Sequence, residues 1–335
     1  MLDFEMARDP LRVLETTRLV VEVARSVTID REKVEEVAGQ LASAPEPVAD
    51  WDHNLHPPAR DAAELANLVL VVDALNFCFW NIPGTGRERW RVTYAGHEYD
   101  GYWALAAALR RAVEAGIPLA DAEYLAALGE DDIATILAGD PGCDDIPLLH
   151  ARLEHLREAG KTLLARWDGQ FLEAITEANG SAAKLVREVL AGLPSFRDSA
   201  PWNSHDIRFH KRAQILIADL SGAFNGQGPG HFHDLHTLTA FADYKVPQVL
   251  RQHGILAYAP PLAEAIATHR LIPPDSDEEL EIRASTIWAV ELLRQSLAGR
   301  SKEMPAYAID WALWQSGQSL PDTSEPYHRT LTIFY

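Results

Sequence analysis

The chain has 335 residues, 47% of them hydrophobic, and a formal net charge of −19. That length and apolar share support a substantial core in one large or two ordinary domains. So negative a surface repels a phosphate backbone, which argues against a nucleic acid polymer as partner while leaving room for a cationic small molecule or a local pocket for one phosphate. Two cysteines, Cys78 and Cys143, are too few for a disulfide framework and too isolated for a zinc knuckle. Cys78, flanked by Phe77, Phe79 and Trp80, reads as a small buried hydrophobe.

In chain order, the opening Met-Leu-Asp-Phe-Glu lacks the basic and apolar regions of a secretory signal, so a cytoplasmic address is expected. Residues 11 to 42 carry Val20, Val23, Val27, Val34, Val37 and Leu41 at three- and four-residue spacing, the pattern of amphipathic helix. The apolar run from Leu65 to Trp80 is broken by Asn67, Asp73 and Asn76, too polar and too short to span a membrane. Arg91 to Tyr94 and His97 to Tyr99, either side of Ala95-Gly96, predict a short β-hairpin. Helices are predicted over 103–115, ending at Gly116 with Pro118 beyond, and over 148–164, 171–178, 182–193, 212–222, 261–269 and 278–297. A terminal strand is expected over 331–335. With no internal repeat and no linker-like loop, the expectation is one mainly α, α-rich unit over 1–335, its N-terminal helical portion (about 1–60) packed onto the rest.

The stretch Phe241-Ala-Asp243-Tyr-Lys245 sets a carboxylate, an aromatic ring and a lysine in an otherwise apolar segment. Removing an unpaired carboxylate from water costs several kcal/mol, so Asp243 is either paired structurally or used chemically. Asp310 lies four residues before Trp314, so on a helix both project from one face. Lysine is sparse in the chain, which draws attention to Lys211 and Lys245. His231-Phe-His233-Asp234-Leu-His236 crowds three imidazoles and a carboxylate together, but its spacing misses the known hydrolase pattern, and no metal or organic cofactor is expected. Asp234 reads as a helix cap. Gly84-Thr-Gly86 lacks the Gly-Lys-Ser/Thr of a phosphate loop, and no Gly-x-Ser-x-Gly elbow supports acyl transfer. Glu281 and Arg283 read as a structural pair, with Glu281 a minor site candidate.

Five segments in order, Leu75-Asn-Phe-Cys-Phe-Trp80, Phe209-His-Lys-Arg-Ala-Gln214, Leu238-Thr-Ala-Phe-Ala-Asp243, Glu281-Ile-Arg-Ala284 and Asp310-Trp-Ala-Leu-Trp314, resemble the queuosine salvage protein family, from roughly Trp51 to the last residue. The resemblance implies a compact helical fold distantly like helix-hairpin-helix DNA glycosylases. It implies hydrolysis of queuosine 5'-phosphate, with queuine released for salvage into tRNA and no polymer, membrane or second subunit needed. It casts Asp243 as the catalytic carboxylate, either stabilising an oxocarbenium ion and activating water or forming a transient glycosyl ester. Phe241 and Trp314 then stack on the base, Asp310 grips it or its amine arm, and Lys211 takes the phosphate, with Lys245 as a second cation. A histidine of the Trp51 to Pro57 loop is implied to touch the base, His53 first and His56 as fallback. Gln315 stands where some relatives are expected to carry an acid, with Asp198 a stand-in. The rivals are a glycosylase acting on another modified nucleotide or nucleic acid, and a noncatalytic helical binding protein.

Overall fold

The computed structural model describes residues 2–43, 51–82, 87–320 and 324–335; the Gly84-Thr-Gly86 segment lies outside them. The first part of the chain forms α1 (Val13–Val21), β1 (Val27–Ile29), α2 (Arg31–Ser43) and α3 (Ala62–Ala74). A hairpin of β2 (Arg91–Tyr94) and β3 (His97–Asp100) leads into α4 (Gly101–Glu114), α5 (Ala122–Ala127), α6 (Glu130–Ile136), α7 (Leu149–Arg166), α8 (Phe171–Ala178) and α9 (Ala182–Gly192). A second hairpin, β4 (Ser199–Trp202) with β5 (His205–Arg208), precedes α10 (Lys211–Ala223) and α11 (Lys245–Gln252). The chain finishes with β6 (Leu256–Tyr258), α12 (Pro260–Ala267), α13 (Asp277–Gly299) and α14 (Ala306–Gln318). Among the described residues, strands occur only as small antiparallel pairs, the third being β1 with β6, so the fold is mainly α. Among the same residues, no helix is long and apolar enough to cross a membrane.

Packing follows from which helices are apolar on every side. The middle of α13 is sunk: Leu280, Ile282, Ile287, Trp288, Val290, Leu293 and Leu297 are fully buried, each contributing about 1.5–3 kcal/mol on an area basis. α1, α2, α11 and α14 pack around it. α3 is the second hub, with Leu68 to Val72 buried, and α7, α8 and α10 pack on it. Its start is set by Asp61, whose carboxylate accepts from Glu64 N at 2.9 Å.

Three expectations are corrected. The helical pattern over 11–42 is interrupted, because the backbone N–H groups of Arg25, Ser26 and Val27 donate to the carboxylate of Glu281 (2.6–3.1 Å). That side chain satisfies amides that a continuous helix would have bonded internally, and the freed segment pairs with β6. Glu281 therefore does not pair with Arg283, which instead clasps Asp198 at 2.9 and 2.6 Å. The segment 331–335 is not a strand; it enters the interior, where Tyr335 donates its hydroxyl to Glu279 at 2.9 Å and its carbonyl accepts from Cys78 N.

Asp234 does cap a helix, but one distant in sequence. It accepts from Ser181 Oγ at 2.8 Å and from Ala182 N at 2.5 Å, at the start of α9.

Candidate active site

Beside α10, a cavity is lined from α4, α10, the 241–245 segment and α14. Its empty space, open mouth included, is about 1070 Å³.

α10 supplies the deep wall. Lys211, Ile215 and Asp219 fall four residues apart and share the face that lines the cavity. The start of α10 is fixed by Asp198, whose Oδ2 accepts from Lys211 N at 3.0 Å and whose carbonyl accepts from Phe209 N and His210 N. Asp198 in turn is held by the bidentate Arg283 clasp, both side chains nearly fully buried. Burial works against the guanidinium charge, but Asp198 and Glu279 outweigh it and keep Arg283 ionised. Asp198 is thus consumed in placing Lys211 and is not a substitute ligand at the rim.

The 239–243 stretch is irregular, yet its backbone is satisfied from three directions, as a buried loop requires. Gln214 Oε1 accepts from Thr239 N at 2.9 Å, Asp310 Oδ1 accepts from Phe241 N at 2.9 Å, and Arg283 Nε donates to Ala242 O at 3.2 Å. This clamps Phe241 and Asp243 against the cavity. Asp243 Oδ1 accepts from Lys245 N (2.9 Å) and Val246 N (2.8 Å), so the carboxylate also caps α11. Among the described residues both hydrogen bonds to Asp243 fall on Oδ1.

Two carboxyl groups with different fates result. Burial raises the Asp243 pKa, while Lys211 and the two capping amides work to hold it ionised. Burial, and then the charge of Asp243, push Asp310 well above the usual carboxylate range, which favours its acid form. Two neighbouring carboxyls driven apart in pKa are the hallmark of acid and base roles in one site. Lys211 Nζ donates to Asn76 O at 3.2 Å, and burial lowers its pKa against the pull of Asp243 and Asp73.

The side walls are aromatic. Trp314 meets Trp103 edge to face at 5.7 Å and Tyr102 at 6.0 Å. Phe77 and Phe79 are set by Arg152, a fully buried guanidinium that donates to the carbonyls of Leu75, Phe77 (2.5 Å), Cys78 (2.9 Å) and Pro147. Burial pushes the Cys78 thiol up to about 12, an inert core residue. At the mouth, Lys245 Nζ sits 3.2 Å from Gln248 Oε1 and over the Tyr327 ring, and Arg89 pairs with Asp100 at 2.8 Å.

Of the residues singled out in the sequence, Asp243, Phe241, Asp310, Trp314, Gln315, Lys211 and Lys245 all line this cavity. Gln315 is exposed at the rim. His53 is exposed and outside the lining, and its carbonyl accepts from Arg110 at 3.0 Å. His56 is buried one shell back, stacked on Trp51 at 3.7 Å and hydrogen-bonded to Tyr102 Oη at 2.7 Å. Sequence reading passed over Asp219, Tyr102 and Arg89. The first had a signal, since it stands two helical turns beyond Lys211 on one face; Tyr102 and Arg89 had none. Among the described residues no three His, Cys, Asp or Glu side chains group to hold a metal ion.

Fold and cleft define a mainly α protein with a cavity lined by carboxyl, lysine and aromatic side chains. Residues 55–335 match the family model described as "Queuosine salvage protein". A Sphaerobacter thermophilus protein named queuosine 5'-phosphate N-glycosylase/hydrolase is 53% identical over 328 residues, covering 98% of both chains. Proteins of the same name from Mus musculus (36% identical, 97% of this chain and 99% of that one) and Dictyostelium discoideum (38%, 81% and 78%) are also similar. The chain belongs to the queuosine salvage protein family.

Proposed function

We propose that this chain hydrolyses the N-glycosidic bond of queuosine 5'-phosphate, releasing queuine and ribose 5-phosphate, and that residues 1–335 act as one catalytic unit. The observation that carries this reading is the buried Asp243 carboxyl held beside Lys211 in a cavity with aromatic walls, within a chain of this family. As the bond to the base breaks, positive charge builds on the sugar, and a fixed carboxylate lowers the energy of that state. Oδ1 is anchored by two amides, so Oδ2 is the oxygen available to the sugar and to the attacking water.

Phe241 and Trp314 offer faces for a planar base. The protonated Asp310 serves as a donor to it, and Gln315 stands at the rim for the polar arm. The phosphate goes to Arg89 and Lys245 at the mouth rather than to Lys211. A dianion placed at Lys211 would sit among Asp243, Asp73 and Asp310, whereas at the rim burial and then the charge of Arg89 lower the Lys245 pKa, and an anion between the two cations would offset that repulsion.

The test is incubation with free queuosine 5'-phosphate and chromatographic detection of queuine. Turnover of the mononucleotide without polymer supports the reading. Release from intact tRNA or DNA alone would favour a polymer glycosylase, and no release from any of them would favour a binding protein.

A further inference from the structure

A line of hydrogen bonds runs from the Trp51 loop into the cavity and ends on a carboxyl group the reading above does not use. Its polarity can be assigned step by step. His56 Nδ1 lies 3.0 Å from Asp52 O, a carbonyl that can only accept, so the ring proton sits on Nδ1. Burial drops His56 to about 4, so the ring is neutral near pH 7 and Nε2 has a free lone pair. Tyr102 Oη, at 2.7 Å, must therefore donate its only proton to Nε2. Toward the cavity Tyr102 then offers lone pairs alone, and its neighbour there is the carboxyl of Asp219. A carboxylate facing that oxygen would set acceptor against acceptor; a carboxylic acid would donate to it.

The groups facing Asp219 agree with the second arrangement. They are Asp73 from α3, Tyr102 from α4 and Lys211 on its own helix. Asp73 is completely buried with Oδ2 unpartnered, burial lifts its own pKa to about 7, and its charge works against a second one on Asp219. Burial, then the charge of Asp73, raise Asp219 well above the usual range, with Lys211 opposing; a Tyr102 hydroxyl donating to the carboxyl would lower it too, but that proton is already committed to His56. Both Tyr102 and Asp219 are only partly covered, because the cavity is open beside them.

We infer that Asp219 is a carboxylic acid oriented by the Asp52–His56–Tyr102 line, and that it is the catalytic acid that protonates the departing base. The inference rests on the proposed N-glycosidic hydrolysis. A 7-deazapurine carries carbon where a purine has N7, so the leaving group must be protonated at another heteroatom, its exocyclic oxygen or a remaining ring nitrogen. The bond from the anomeric carbon to the base nitrogen breaks with its electron pair going to the base, and the Asp219 O–H proton goes to a base heteroatom. Water adds its oxygen to the anomeric carbon and gives a proton to Asp243. Asp219 is left as a carboxylate beside Lys211 and is reprotonated from solvent once the products leave, while Asp243 releases its proton. His56 and Tyr102 touch neither sugar nor base in this scheme and are positioning residues.

The experiment compares two leaving groups on ribose 5-phosphate: queuine, which needs a proton, and p-nitrophenolate, which does not. Asp219→Asn is expected to lower kcat on queuosine 5'-phosphate by about 10²–10⁴-fold, the range of a general acid, and to lose far less on the p-nitrophenyl substrate. Asp243→Ala loses both, and a variant at Asp243 that kept both activities would instead sink the underlying reading. Tyr102→Phe removes the acceptor that stabilises the acid form, so the alkaline limb of kcat should move to lower pH, a shift that a purely structural role does not produce. Equal losses of Asp219→Asn on the two substrates, or an alkaline limb unmoved in Tyr102→Phe, overturn the assignment. Infrared difference spectra of the unliganded protein give a reading independent of turnover: a protonated-carboxyl band present in wild type and missing in Asp219→Asn supports it, and no such difference refutes it.

Discussion

Replacing Asp243 by asparagine isolates charge from structure. The amide oxygen of Asn can still accept from Lys245 N and Val246 N, the two bonds now made by Oδ1 at 2.9 and 2.8 Å, so the cap on α11 persists. What vanishes is one negative charge facing the anomeric carbon. For a carboxylate about 4 Å from a developing unit charge at an effective dielectric near 20, the lost attraction is about 4 kcal/mol, or about 10³ in rate at 1.36 kcal/mol per decade. Asp243→Ala removes the cap as well and should add about 1 kcal/mol of destabilisation. The assay is single-turnover release of queuine from queuosine 5'-phosphate, alongside thermal melts of the three proteins. Asp243→Asn is expected to melt close to wild type, bind substrate, and turn over about 10³-fold more slowly. A rate within tenfold of wild type, with the melt unchanged, would refute the assignment of transition-state stabilisation to this carboxylate.

Three further outcomes are expected. Asp243 must be ionised to act, so kcat falls as pH drops through its pKa, which burial raises and Lys211 holds down; Lys211→Met should move that acid limb to higher pH, and an unmoved limb would show the two groups are not coupled. Arg89→Gln and Lys245→Gln should each raise KM for the nucleotide about tenfold or more, the loss of a charge-assisted contact, with little change for the nucleoside; equal effects on both substrates would remove the phosphate from the rim. Asp198→Ala strips Arg283 of its bidentate partner, leaving it only the longer pair with Glu279 at 3.6 Å, and leaves Lys211 N without its acceptor, which should cost about 3 kcal/mol in denaturant unfolding; a loss under about 1 kcal/mol would mean the pair is solvated in a way its burial does not suggest.

Local chemistry in the sequence was enough for most helices and for the first hairpin. Apolar spacing over 171–178 is α8 to the residue, and 278–297 lies within α13. The tyrosines, threonine and valine around Ala95-Gly96 are β2 and β3. The break after α1 was not legible, because nothing near Arg25 stops a helix; the cause is a carboxylate 254–256 residues away that takes the backbone amides. The hairpin β4–β5 was missed for a related reason: its strands are short, one carries Pro201, and they present polar residues outward. The final segment reads as a strand by composition, but with no partner edge it goes into the core through Tyr335.

What the sequence determined by itself was the residue types: an acid in an apolar setting at Asp243, an acid and a ring four apart at Asp310 and Trp314, and scarce lysines at Lys211 and Lys245. Those signals are local in cost or in helical spacing, so a single chain displays them. Only the tertiary structure decided what each group is for. It turned His53 outward and His56 in behind Tyr102, committed Asp198 to Arg283, placed Lys211 among carboxyls, and brought Asp219 and Tyr102 to the cavity wall. Protonation states and partners depend on burial and on neighbours distant in sequence, and both come into being only when the chain has packed.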